Sequence, residues 1–266
     1  MRLIRTERRV FPGPARSLAD AEHRAEVAQY LADLTRPFGT EPDLELSGHS
    51  YGEMASELVA AVVLATEPVD LLVLAFSIHD MWPGRATAAY LSHVCPGTPL
   101  SFAICDQGSA APFTGLRVIR DYSPPRALLI SVEQAALPYK SSATPPAEHR
   151  GVAMLYGNGD GDDNAGSRVA ALRQHPDVAP DTVAGLVSRD ITELSAGRRN
   201  VRVVLGDALA TAWPGHPDHT EVPAGQPATG VWWHLADELP DSTDLVLAAD
   251  YDPDLRYLCV AGIERT

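Results

Sequence analysis

The sequence predicts an α/β protein: a parallel sheet covered on both faces, followed by a looser copy of the same alternation. Three observations carry this. Residues 70–76 (DLLVLAF), 100–105 (LSFAIC) and 126–132 (RALLISV) are short apolar runs separated by helix-like stretches, the β-α-β-α-β order of strands buried between helical layers. Apolar runs recur at 151–156, 183–187, 201–205, 244–249 and 257–262, and the run 244–249 looks like 126–132. A proline-rich connector, 141–149 (SSATPPAEH), lies between the halves. The expected organisation is a first half over 1–150 and a shorter second half over 151–266, packed as one unit.

The elements follow in order. Residues 17–34 carry apolar positions at helical spacing, through Ala21, Ala25, Ala28 and Leu31. Residues 35–48 hold Pro37, Gly39, Pro42 and Gly48 and read as loop. Residues 53–65 are apolar nearly all round, so a buried helix is expected there, stopped by Pro68. A loop at 77–84 (SIHDMWPG), a helix at 85–94, and a helix at 110–122 complete the first half. In the second half, 169–174 reads as helical.

With 266 residues and 45% hydrophobic content there is ample material for a core. The formal net charge of -14 argues against nucleic acid or anionic membrane as a partner. Arg2, Arg5, Arg8 and Arg9 form the one basic cluster, and Lys140 is the single lysine. Cys95, Cys105 and Cys259 are too few for a disulfide framework and read as reduced. No leader-like apolar segment follows the charged N-terminus, and the longest apolar stretch, 58–65, is far too short to span a membrane. A cytoplasmic protein is therefore expected. Neither GxGxxG nor GxxxxGK[ST] occurs, so no nucleotide cofactor is expected, and none of another kind.

The stretch 101–113 (SFAICDQGSAAPF) carries the most chemistry. A strand runs into Gln107-Gly108-Ser109 and then a helix with Pro112 in its first turn, where a missing N–H costs nothing. With Gly115-Leu116 and Tyr122 behind it, this neighbourhood resembles the nucleophile turn of the thiolase fold, in particular β-ketoacyl-carrier-protein synthase III and its acyltransferase relatives. The resemblance covers about residues 50–135. It implies duplicated α-β-α-β-α layers, a dimer paired through the strand carrying the turn, and acyl-carrier-protein or CoA thioesters as partners. Ser109 stands where the family has its active-site Cys, with Gly108 the alternative in a register shifted by one. A Ser hydroxyl needs a base to attack a thioester; alternatively Ser109 caps the helix. Gln107, Gly108 and Asp207 are the expected oxyanion or pocket residues.

The family's second-half groups look replaced. Its His follows an apolar strand, and the counterpart is taken as 183–190 (VAGLVSRD), without His. Its Asn lies in a Gly-Asn turn, and Gly206-Asp207 is the nearest match. Decarboxylating condensation is therefore not expected. His79 with Asp80, at the end of the strand 70–76, offers a base for Ser109 on the side where α/β sheets place ligands. Cys105 is expected to point into the core. His149, His175, His216, His219 and His234 fall in connectors or turns, and His216 with His219 lacks a third metal ligand. The acidic 156–167 (YGNGDGDDNAGS) lacks the EF-hand spacing and reads as a turn. Two functions fit: Ser-based acyl transfer or thioester hydrolysis in specialised-metabolite biosynthesis, or a non-catalytic partner of an active ketosynthase. The former is the first choice.

Overall fold

The computed structural model describes residues 1–13, 15, 19–43, 48–82, 85–137, 139, 145–158, 166–215, 219–239 and 243–265. The first half supplies β1 (Arg2–Val10), β2 (Leu71–Ala75), β3 (Leu100–Ile104), β4 (Arg126–Glu133) and β5 (Arg150–Gly157). The second supplies β6 (Ser167–His175), β7 (Val201–Leu205), β8 (Thr220–Glu221), β9 (Leu245–Asp252) and β10 (Tyr257–Glu264). The sheet order is β3-β2-β4-β5-β1-β6-β10-β9-β7-β8. Counted outward from the β1–β6 seam, each half places its first, fifth, fourth, second and third strand in the same sequence. The duplication suspected from two similar apolar runs is thus a duplication of topology, and those runs are the fourth strand of each half.

Parallel pairing is confined to β2 with β3 and β4, and β7 with β8 and β9. The strands nearer the seam pair antiparallel, and Arg2↔Arg168 and Leu3↔Ser167 join the halves.

Seven helices are described: α1 (Ala21–Thr35), α2 (Tyr51–Val62), α3 (Thr87–Val94), α4 (Ala111–Tyr122), α5 (Val183–Ser195), α6 (Asp207–Ala212) and α7 (Gly230–Glu238). Strand alternation decides which helices meet which sheet face. Val73 and Leu129 point inward with Val246 and Ala248 of the other half, onto Phe113 and Leu116 of α4 and Trp232 and Leu235 of α7. Leu72, Leu74 and Ile130 point outward onto Met54 and Leu58 of α2. In the second half Val203, Leu205 and Leu247 face Val183 and Val187 of α5 and Leu209 of α6. The result is five layers, α-β-α-β-α, as the resemblance implies. Where α4 meets α7, the Phe113 and Trp232 rings lie 4.7 Å apart. Gly115 lets α4 lie this low: a Cβ there would come within 2.7 Å of Leu129 Cδ1.

Several local expectations are corrected. Residues 169–174 are not helical but lie in β6, because the ladder to β10 along this stretch, begun beside β1 at residues 167 and 168, overrides their helix-compatible composition. Residues 183–187 are not a strand but the first turns of α5, where Val183, Val187 and Ile191 recur every four residues on the buried side. The arginine cluster lies on β1, whose partners are β5 and β6. His175 ends a strand and His234 sits in α7, so neither is in a connector.

Candidate active site

Two residues in the left-handed region shape the exit from β3: Asp106 at φ 60° and Gly108 at φ 48°. They swing the chain into a single 3₁₀ turn, Gly108–Ala110, which runs on into α4 with Pro112 in its first turn. Ser109 in that turn is 6% exposed. The Gly108 carbonyl accepts from Ser77 Oγ at 3.2 Å, and Gln107 Oε1 accepts from Thr114 Oγ1 at 2.7 Å.

The start of α4 is capped, but not by Ser109. Neither the turn nor α4 has a side-chain cap bond from its own N-cap residue. Instead the Ser109 backbone N–H donates to Asp252 Oδ2 at 3.3 Å, from the far end of β9. A carboxylate there complements the unsatisfied N–H groups and positive dipole end of the helix. Glycine is required at 108 as well, since a Cβ would collide with the Asp252 carboxylate.

Ser109 opens on a cavity of about 150 Å³ whose walls include Asp207, Asp250, Asp252 and Gln226. Asp207 follows Gly206 directly after β7, and Gln226 follows Gly225 between β8 and α7. Asp250 is buried behind Gly206, where a Cβ would strike its carboxylate. Burial pushes Asp250 up to about 8 against the Tyr251 N–H bond, and nearby Asp252, Glu133 and Asp207 push the same way. At neutral pH its proton is therefore largely retained. Three carboxyl groups face Ser109 across one small space.

The second half repeats the arrangement. Glu133 ends β4 as Asp252 ends β9, and accepts from the N–H groups of Ala228 (2.7 Å) and Thr229 (3.1 Å) and from the Thr229 hydroxyl. Those groups begin α7. Burial pushes Glu133 up to about 7 against these bonds. Each middle helix is thus capped by the last residue of the other half's fourth strand.

The expected site residues divide among three places. Ser109 and Asp207 share the 150 Å³ cavity, with Gly108 at its edge. Gln107 lines a separate open groove of about 760 Å³ along α4, with Thr114, Val118, Tyr122 and Leu255. His79 and Asp80 border a third cavity, walled by Ser101 and Ala103 on the side of β3 away from α4. The structure does not bring them to Ser109. Asp80 accepts from the Tyr51 N–H at 3.0 Å and from Gln134 Nε2 at 3.3 Å, so it secures the start of α2 to its loop. Burial raises it to about 6.

Other expectations resolve as follows. Cys105 does not enter the core: it is half-buried in the surface turn, its thiol donating to Asp106 Oδ2 at 3.3 Å, and burial raises its pKa. Cys95 and Cys259 are buried free thiols. Residues 183–190 lie in the outer helix α5, where buried Asp190 binds His175 and Arg173, each at 2.6 Å, and they contribute nothing to the Ser109 cavity. The acidic stretch 159–165, Lys140 and His216 fall outside the described residues. Among the described residues no cluster suited to a metal ion is found, and no helix is long and apolar enough to cross a membrane. Sequence reading missed Asp250, Asp252, Glu133 and Gln226. Only Gly225-Gln226-Pro227, a Gly-amide pair ahead of an apolar stretch, offered a signal.

Two five-stranded repeats of identical strand order around a pair of middle helices, one starting at a nucleophile-type turn, define the thiolase fold. Solved structures agree. The chain superposes on the tetronic acid condensing enzyme AbyA1 with a TM-score of 0.67 at 15% identity, covering 99% of this chain and 100% of that one. It matches the acyltransferase ChlB3 at 0.61, 16% identity, over 99% and 97%. It matches the 3-oxoacyl-(acyl carrier protein) synthase III FabH of Pseudomonas aeruginosa PAO1 at 0.60, 14% identity, over 99% and 98%. No family model and no curated protein matches the sequence.

Proposed function

We propose that the protein serves carrier-bound or CoA-bound acyl metabolism as a non-condensing partner of a ketosynthase-type enzyme, and that it does not itself form an acyl-enzyme. One observation carries this reading: the Ser109 N–H, at the mouth of α4, already donates to Asp252. Acyl transfer through Ser109 would develop an oxyanion beside a standing carboxylate. Two like charges about 4 Å apart repel by roughly 4 kcal/mol at an effective dielectric of 20, against the stabilisation such a step needs.

The topology supports the same conclusion for the second half. Asp207, expected from its Gly-Asp pair to stand for the family's Asn, follows the apolar strand β7, the context in which the resemblance places a catalytic His. Gln226 occupies a Gly-amide turn after a strand, the context of the family's Asn. On this assignment an acid replaces the base and a longer amide replaces the Asn, so decarboxylating condensation has no machinery. Pairing through β3 fits its chemistry. It is one of the two edge strands of the sheet, it bears no charge, and Leu100 on it is 55% exposed. An uncharged edge offers unpaired ladder groups to a second strand.

Ser-based acyl transfer or hydrolysis is the second reading, favoured by Ser109 and Asp207 sharing one cavity. Intact-protein mass spectrometry after exposure to acetyl-, butyryl- and hexanoyl-pantetheine separates the two. We expect no adduct on the wild type. An adduct lost in Ser109→Ala would overturn the partner reading and establish the acyl-enzyme. Sedimentation of the wild type beside Leu100→Lys tests the pairing: an assembly that the charge disperses is expected, and one indifferent to it refutes the use of β3.

A further inference from the structure

The cavity holding His79 has features that the Ser109 site does not use. It encloses about 450 Å³, with Tyr51, Phe76, Trp82 and Arg85 among its walls and half-exposed Tyr30 of α1 at its border. A second chamber of about 330 Å³ adjoins it, lined by Leu34, Phe38, Thr40 and Tyr139, and His79 belongs to both. Each volume lies in the range that takes a small organic molecule.

Arg85 is built into the larger chamber. Its guanidinium carbon lies 4.8 Å from the Trp82 ring centroid and 3.5 Å from that of Tyr90, so it is clasped between two rings. Its other side rests on the α2 backbone, where a Cβ on Gly52 would lie 3.2 Å from Nη1. Trp82 is backed in turn by His23 of α1, ring centroids 4.1 Å apart. The rings hold the guanidinium from two sides, and among the described residues no carboxylate pairs with it, whereas Arg5, Arg8, Arg168 and Arg173 each have one. Asp80, the one acid in the chamber, has its oxygens turned to Tyr51, Gln134 and Thr87. A planar donor fork held in place and left unpaired is a receptor for a planar anion.

We propose that these joined chambers bind a mono-anionic amphipathic carboxylic acid. Its carboxylate sits on Arg85 and its apolar body lies against Tyr51 and Phe76, then past His79 toward Leu34 and Phe38. A single guanidinium with an acid nearby suits one negative charge and disfavours a phosphate ester carrying two. The site stands on the outer face of the first half-sheet and works whether or not Ser109 turns over.

Calorimetric titration of the full chain with octanoate and with 4-phenylbutyrate tests it, with 1-octanol and inorganic phosphate as probes of the two halves of the argument. Saturable one-to-one binding of at least one acid is expected, weakened roughly tenfold or more in Arg85→Met, as loss of a charge-assisted pair implies. Leu34→Trp, which fills the second chamber without touching Arg85, is expected to weaken the acid that reaches it while leaving the fold's thermal transition in place. Ser109→Ala should bind as the wild type does. No binding of either acid, equal binding in Arg85→Met, or phosphate or octanol binding as tightly as the acids would each overturn the proposal.

Discussion

The starts of α4 and α7 are the same place in two copies of one design, and they differ in what the capping carboxylate is free to do. At α7 the cap is Glu133, 5% exposed and engaged by two backbone N–H groups and a hydroxyl. At α4 the cap is Asp252, which gives Oδ2 to Ser109 and Oδ1 to the N–H groups of Asp254 and Leu255 in its own turn. The α7 end is closed and structural. The α4 end borders a cavity, and its carboxylate stands at the half-buried end of β9 rather than in the core. The two helix starts thus differ in access: at α4 the capping carboxylate borders open space, and at α7 it is sealed.

The comparison predicts that Glu133 matters most for stability. Glu133→Ala leaves the Ala228 and Thr229 N–H groups buried without an acceptor, at about 1–3 kcal/mol each. A loss on the order of 4 kcal/mol, or a Tm lower by roughly 10 °C, is expected by calorimetry near pH 6. A loss below about 1 kcal/mol would mean that the α7 cap is no more closed than the α4 cap.

A pH test sharpens the contrast between buried and bordering carboxyls. Asp250 at about 8 and Glu133 at about 7 hold their protons in the fold more tightly than in the unfolded chain, where ordinary values are 3.8 and 4.5. The folded state thus binds more protons between about pH 4 and pH 8, and stability contributed by these groups is full below that window and falls as pH rises through it. Asp250→Asn removes one of them. Urea unfolding at pH 5.5 and pH 8.5 is expected to show a drop on the order of 5 kcal/mol in the wild type and on the order of 2 kcal/mol in the variant. Identical slopes would place Asp250 in contact with solvent.

How far all this was legible depended on the range of the interactions. β2, β4 and α4 announce themselves because their apolar pattern is local and their buried faces are complete, as in the wholly buried run Leu71–Ala75. β6 and the start of α5 were exchanged, because Ser167–His175 is composed of residues that suit either state and only its position between β1 and β10 decides. The charged β1 and the two-residue β8 carry almost no strand signal of their own. The site split in the same way. Ser109, singled out by its turn, and Asp207, by its Gly-Asp pair, do line one cavity. Asp252 stands 143 residues from Ser109, and Glu133 95 from Ala228, contacts that exist only once the two repeats pack. His79 was assigned to Ser109 because both follow strands of one parallel set. The loops leave those strands toward opposite faces, which alternation within a strand does not reveal.

The smallest expected effect is also the most specific to the α4 end. Asp252→Ala removes the carboxylate from the Ser109 N–H, at about 1 kcal/mol for a partly exposed cap. Gly108→Ala places a methyl group where that carboxylate lies and forces an alanine to φ 48°, at about 1 kcal/mol for the backbone with the displaced bond in addition. Both changes spend the same hydrogen bond, so the double variant is expected to lose less than the sum of the singles, by roughly 0.5–1 kcal/mol in a denaturation cycle. Strict additivity would mean that Asp252 does not hold the turn. The anion site at Ser109 would then stand open, and the balance would shift toward acyl transfer by the serine.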